Sequence, residues 1–196
     1  MKKVLYIIPG FNDKSTLKPY KEIEKYFQDF GFEVFPIEIT WKNKTMTNYV
    51  EEFFSQFNKY GKNNEVYLLG FSYGAMISLI ASSKTKIKMQ FLCSLSPYFK
   101  EDLPNIPNWW KKYLGLKRMK DFEKLSFNNI AKNISAETIL FAGTNEGVEV
   151  ERRVKDANKK IKNSQLFLIE KAKHDISQDI YLEKIKEVIK MIFDKK

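Results

Sequence analysis

The sequence predicts an α/β fold in which one mainly parallel sheet of about six strands is covered by helices on both faces. Three observations carry this. Short β-rich runs alternate with helical stripes along most of the chain. The runs Val4-Leu5-Tyr6-Ile7-Ile8 and Val66-Tyr67-Leu68-Leu69 are continuously apolar, as strands buried on both faces must be. The length of 196 residues, with 43% hydrophobic, suffices for one domain with a full core and is short for two.

The elements follow in order. Lys3–Ile8 reads as the first strand. Leu17, Tyr20, Ile23, Phe27 and Phe30 then recur every three or four residues, with Pro19 in the first turn and Gly31 as the stop. A second strand is expected over Glu33–Ile39, and a second helix carries Tyr49, Val50, Phe53, Phe54 and Phe57 and is closed by Gly61. Glu65–Leu69 is the third strand, a third helix starts near Tyr73, and Lys88–Ser94 is the fourth strand. From Ser96 to about Ser135 there is no strand signal, only Pro97, Pro104, Pro107, the pair Trp109-Trp110 and short helical patterns. That stretch is too long for a plain connection and reads as a helical lid inserted at about 97–135 into a single domain spanning 1–196. Thr138–Ala142, a helix over Val148–Lys160, Gln165–Ile169 and a helix carrying Tyr181, Ile185, Val188, Ile189 and Ile192 complete the series.

Composition removes several functions. The balance of 34 basic and 24 acidic residues gives a net charge of +10, but Arg occurs only at 118, 152 and 153. Nucleic-acid readers favour the planar fork of Arg, whereas most lysines here alternate with Glu and Asp on helical stretches such as Lys21-Glu22-Ile23-Glu24-Lys25. No nucleic-acid partner is expected. No apolar run reaches the roughly 18–20 residues of a membrane helix. The basic start Met1-Lys2-Lys3 leads into an apolar stretch too short for a secretory signal, so a cytoplasmic protein is expected. The one cysteine, Cys93, lies in an apolar run and reads as a small buried hydrophobe; the one histidine, His174, forbids a multi-histidine zinc site. No metal and no cofactor are expected.

The chemistry concentrates at Gly70-Phe71-Ser72-Tyr73-Gly74, directly after an apolar strand and before the helical run Ala75-Met76-Ile77-Ser78-Leu79-Ile80. A serine on such a turn has its hydroxyl exposed above the sheet at a helix N-terminus, and the flanking glycines keep side chains away. Between glycines, the same pentapeptide also serves as an ordinary strand-to-helix turn, so its position in the chain decides its weight.

On these residues the chain resembles the α/β-hydrolase family over nearly its whole length. The resemblance implies a nucleophile, acid, histidine order: Ser72 as nucleophile and His174, in the loop after the last strand, as general base. It puts the acid in Gly143-Thr144-Asn145-Glu146-Gly147-Val148-Glu149, where Glu146 occupies the expected place, with Glu149 and then Asp175 as competitors. It implies an oxyanion hole from the backbone N–H groups of Phe11, in the loop Pro9-Gly10-Phe11-Asn12-Asp13, and Tyr73. It further implies a three-layer sheet trimmed at the N-terminus, in spatial order 2-1-3-4-5-6. The expected activity is hydrolysis of a carboxylic ester or thioester through an acyl-enzyme, on a small-molecule acyl substrate. Tyr98, Trp109 and Trp110, with Phe11 and Tyr73, are candidates for an apolar pocket under the lid, and equally for packing of the lid on the body. Two other readings remain open: a non-catalytic protein of the same fold that binds a ligand or partner, and a flavodoxin-like nucleotide binder. The second lacks a Gly-rich phosphate loop after its first strand.

Overall fold

A computed structural model describes residues 1–60 and 64–194; Gly61, expected to close the second helix, lies outside them. In chain order the elements are β1 (Lys3–Ile8), α1 (Lys18–Asp29), β2 (Glu33–Pro36), α2 (Met46–Tyr60), β3 (Glu65–Phe71), α3 (Tyr73–Ser82), β4 (Met89–Cys93), a short 3-10 turn (Leu103–Asn105), α4 (Asn108–Leu114), α5 (Leu116–Phe122), α6 (Phe127–Lys132), β5 (Glu137–Gly143), α7 (Val148–Lys160), β6 (Ser164–Ile169) and α8 (Asp179–Phe193). The six strands form one sheet in the order β2-β1-β3-β4-β5-β6, and every pairing is parallel. No helix among the described residues is long and apolar enough to cross a membrane.

The continuous apolar runs are explained by two cores. Leu5 and Ile7 of β1 face a cluster with Tyr20, Ile23 and Phe27 of α1 and Tyr181, Ile185 and Val188 of α8. Val4, Tyr6 and Ile8 point the other way, into a cluster with Tyr49 and Phe53 of α2, Met76 of α3 and Val154 of α7. Strand period two thus feeds both layers, and each fully buried large side chain contributes roughly 1.5–3 kcal/mol.

β2 is shorter than expected. Ile37 N–H still donates to the Ile7 carbonyl at 2.8 Å, but the backbone of Glu38 bonds the side chain of Gln56 on α2, whose Nε2 donates to the Glu38 carbonyl at 2.8 Å. A side chain of α2 has replaced the strand ladder at this sheet edge. β4 ends at Cys93 because Ser94 takes a left-handed φ of 52°.

The helical segment between β4 and β5 is laced to the rest of the fold. Thr47, at the start of α2, donates from its N–H and hydroxyl to Asp121 of α5 at 2.9 and 2.6 Å. Glu101 accepts from Ser126 and from the first N–H groups of α6. Arg153 of α7, 3% exposed, stacks 3.8 Å from the Phe127 ring and pairs with Asp102 at 3.5 Å. Exposed apolar side chains gather around α4, at Trp109, Tyr113 and Leu116.

The turn from β3 into α3 requires two glycines for contact reasons. A methyl on Gly70 would sit 2.2 Å from the Gly74 carbonyl oxygen, and one on Gly74 would sit 2.1 Å from the Ile8 carbonyl oxygen. Helix α3 therefore rests backbone-to-backbone on the sheet. Gly74→Ala is expected to destabilise the protein by about 3 kcal/mol or more, because both colliding atoms are main chain. Chemical denaturation checks this, and a loss below about 1 kcal/mol would show that the elbow tolerates a side chain.

Candidate active site

The carboxyl ends of β1, β3, β4, β5 and β6 stand side by side, with Ile8 opposite Gly70, Phe71 opposite Cys93, Cys93 opposite Phe141, and Gly143 opposite Ile169. The chain segments leaving these ends carry Phe11, Ser72, Ser94 with Ser96, Glu146 and His174. Strand order reverses beside β1 and β3, which is where open α/β sheets form a ligand crevice.

Ser72 has φ 56° and ψ −113°, a conformation L-residues seldom adopt. It is held there by its N–H, which donates to the Cys93 carbonyl at 2.8 Å, and by its own carbonyl, which accepts from Ala75 and Met76. Its hydroxyl lies 2.9 Å from His174 Nε2. His174 Nδ1 lies 2.7 Å from Glu146 Oε2, whose side chain is fully buried while the imidazole is 36% exposed.

The turn at 144–147 brings Glu146 back toward the sheet. Thr144 and Asn145 N–H groups donate to the carbonyls of Ile169 and Ala172, and Gly147, at φ 101°, starts α7. The other carboxylate oxygen, Oε1, accepts from Gly143 N–H and from the Ser94 hydroxyl at 2.7 Å. Because Ser94 spends its proton on Glu146, it can only accept from Tyr181, whose buried hydroxyl lies 2.6 Å away. Burial holds the Tyr181 phenol well above its usual range, so it remains a donor.

The competitors are otherwise occupied. Glu149 pairs with Arg152 at 2.9 Å, and Asp175 Oδ1 accepts from the N–H and hydroxyl of Ser177. The His174 loop is tied by Gln178, which bonds the backbone of Lys173 and Asp175. Phe71, the second residue of the pentapeptide, lays its ring 5.1 Å from the imidazole.

A cavity of about 410 Å³ opens over Ser72, lined among others by Phe11, Tyr73, Tyr98, Trp110, Tyr113, Leu114 and Val150. The Phe11 ring packs at 5.0 Å on Tyr73 and at 5.6 Å on Trp41. Trp110 Nε1 donates to the Tyr98 hydroxyl at 2.8 Å. Trp109 departs from expectation: it is 68% exposed and lines a neighbouring groove, not this cavity. Adjacent residues on a helix diverge by about 100°; Trp110 reaches both the cavity and the groove, and Trp109 only the groove.

Sequence reasoning missed three contributors. Ser96, 2% exposed, places its hydroxyl 3.0 Å from Ser72 Oγ. When Ser72 donates to His174, Ser96 must be the donor to Ser72. Ser94 steadies the acid, and Asp13 lines the cavity. None carries a motif, although the Ser94-Leu95-Ser96-Pro97 stretch at a strand end is a weak signal. Cys93 is fully buried, and burial pushes its thiol far above the ordinary range, which removes it as a nucleophile. Among the described residues no three of His, Cys, Asp and Glu converge as metal ligands.

No protein-family model matches the chain, and no curated protein does. Solved structures do. Est1E from Butyrivibrio proteoclasticus, with ferulic acid bound, is 16% identical and superposes with a TM-score of 0.82 over 97% of this chain and 87% of that one. MGS-MChE2, an alpha/beta hydrolase from a sediment metagenome of the Mar Chica lagoon, Morocco, is 17% identical, with a TM-score of 0.77 over 100% of this chain and 92% of that one. Alpha/beta hydrolase domain-containing protein 10 from mouse is 12% identical, with a TM-score of 0.76 over 98% and 90%.

The polar chain behind Glu146 yields a test by stability. Tyr181→Phe removes one donor and is expected to cost about 1 kcal/mol in chemical denaturation. Ser94→Ala takes a donor from the carboxylate and leaves the phenol only the Phe141 carbonyl, at 3.4 Å, so its cost is expected to be larger, about 2–3 kcal/mol. The reverse order would show that Ser94 does not bridge the two.

Proposed function

Starting from a chain that has the α/β-hydrolase fold, we propose that this protein is a serine hydrolase that cleaves a carboxylic ester or thioester. The observation that carries the reading is the unbroken hydrogen-bonded series Ser72 Oγ, His174 Nε2, His174 Nδ1, Glu146 Oε2, at 2.9 and 2.7 Å.

In this reading Ser72 gives its proton to His174 as its oxygen attacks the substrate carbonyl carbon. The carbonyl oxygen becomes an oxyanion beside the backbone N–H groups of Phe11 and Tyr73. The Tyr73 N–H belongs to the first turn of α3 and has no partner within the helix. Glu146 holds the imidazole in the tautomer that accepts at Nε2 and balances the imidazolium. The tetrahedral adduct expels the alcohol or thiol, which takes the proton from His174. Water, deprotonated by the same imidazole, then attacks the acyl-Ser72 ester and releases the acid. Tyr98 and Trp110 contribute apolar wall for the acyl or leaving group. The names of neighbours of the same fold, among them an esterase from Pyrococcus furiosus and a structure from work on carboxylesterases and the hydrolytic potential of Nitrososphaera gargenis, support an esterase reading.

A fluorophosphonate probe is expected to label the wild type at Ser72 and to leave Ser72→Ala unlabelled. In the same preparations Glu146→Gln is expected to lower turnover of a p-nitrophenyl ester about 10²–10⁴-fold, while Glu149→Gln stays within about threefold. Wild type that resists the probe and turns over no ester would overturn the hydrolase reading. Labelling of both serine forms would remove Ser72 from it, and a larger loss at Glu149 would reassign the acid.

A further inference from the structure

The protein carries 34 lysines and arginines, yet none lines the cavity over Ser72. Two carboxylates do, Glu146 and Asp13. Glu146 is committed to His174. Asp13 is not matched in charge: its Oδ2 accepts from the Tyr20 hydroxyl at 2.7 Å, and among the described residues no Lys or Arg forms an ion pair with it. Tyr20, in turn, accepts from Gly10 N–H at 2.9 Å, so the carboxylate is braced from behind. Burial, reinforced by Asp13, keeps that phenol neutral and donating.

We propose that this cavity takes an ester bearing a positively charged ammonium group, held by the Asp13 carboxylate and the aromatic rings that line the same cavity; the proposal rests on the serine-hydrolase reading above. The rings of Phe11, Tyr73, Tyr98 and Trp110 form a connected wall, with Phe11 and Tyr73 centred 5.0 Å apart and Tyr73 and Tyr98 5.5 Å apart. Aromatic faces attract ammonium groups within about 6 Å, and a nearby carboxylate adds to that attraction. An anionic acyl chain would meet repulsion from Asp13, with no Lys or Arg lining the cavity to offset it.

Arg118 is a cation beside this wall, its guanidinium 4.9 Å from the Phe11 ring centroid. Its N–H groups point to the carbonyls of Lys44 and Trp41, and it does not line the cavity. The excess positive charge lies outside the cavity lining, and its field decays over about 8 Å at physiological salt. Local lining therefore governs selection once a substrate has entered. The ammonium group takes no part in bond making; it positions the ester while Ser72 and His174 act.

The test uses matched esters that differ only in charge. A choline ester is compared with the 3,3-dimethylbutyl ester of the same acid, and a p-nitrophenyl ester with a trimethylammonium-terminated acyl chain is compared with its tert-butyl-terminated carbon analogue. In at least one pair the cationic ester is expected to show about fivefold higher kcat/KM than its neutral partner. Asp13→Asn, which keeps an acceptor for Tyr20, is expected to bring that ratio near one. Both esters are read on the same preparation, so any loss of folded enzyme cancels from the ratio. Neutral esters turned over with no cationic preference in either pair would overturn the proposal and leave the hydrolase reading standing, as would a preference that survives Asp13→Asn. Turnover of no ester at all would instead overturn the hydrolase reading itself.

Discussion

The site depends on one backbone constraint. Ser72 is held at positive φ because α3 docks main chain to main chain on the sheet, through Gly70 and Gly74, while its N–H is fixed to the Cys93 carbonyl. Strain of this kind persists only where the surroundings over-determine it. Here the surroundings are the rigid centre of a parallel sheet buried on both faces, so the hydroxyl sits above a surface that cannot easily relax. The segments after β5 and β6 then bring a carboxylate and an imidazole to it, each fixed by bonds from its own loop.

A second layer gives that arrangement its electrostatics. Glu146 is buried but has three donors, from Gly143, Ser94 and His174, so desolvation is offset by hydrogen bonds to the charged form. The chain continues through Tyr181 of α8, which ties the acid to the far core. Polar atoms are thus connected from the buried helix face to the open cavity, with the serine at the wet end. The helical segment between β4 and β5, anchored through Asp121, Glu101 and Arg153, supplies Trp110 and Tyr113 to the cavity wall.

Much of this was legible in the sequence because it follows from local pattern. Strand runs without alternation announced a doubly covered sheet, and the pentapeptide after β3 located the elbow. A single histidine left no choice of imidazole. The choice among Glu146, Glu149 and Asp175 stayed open because three carboxylates in two loops differ only in how the backbone turns them. Spacing does not reveal that Glu149 pairs with Arg152 or that Asp175 closes its own turn. Trp109 and Trp110 looked equivalent until the phase of a short helix separated them. Asp13 had no signal and Ser96 only the weak one of its place at a strand end, since a lone serine or aspartate in a loop acquires meaning only from what stands opposite. The early end of β2 has the same origin, a side chain of α2 competing for the Glu38 backbone. Net charge, the most conspicuous figure in the composition, says nothing about the cavity, whose walls hold carboxylates and no cation.

The most direct measurement on the central claim is peptide mapping by mass spectrometry after rapid acid quench with a slowly deacylating p-nitrophenyl ester. The account predicts the acyl mass on the peptide containing Ser72, formed in a burst of p-nitrophenol and absent from His174→Ala. Turnover without any acylated peptide, or an acyl group on another residue, would contradict it.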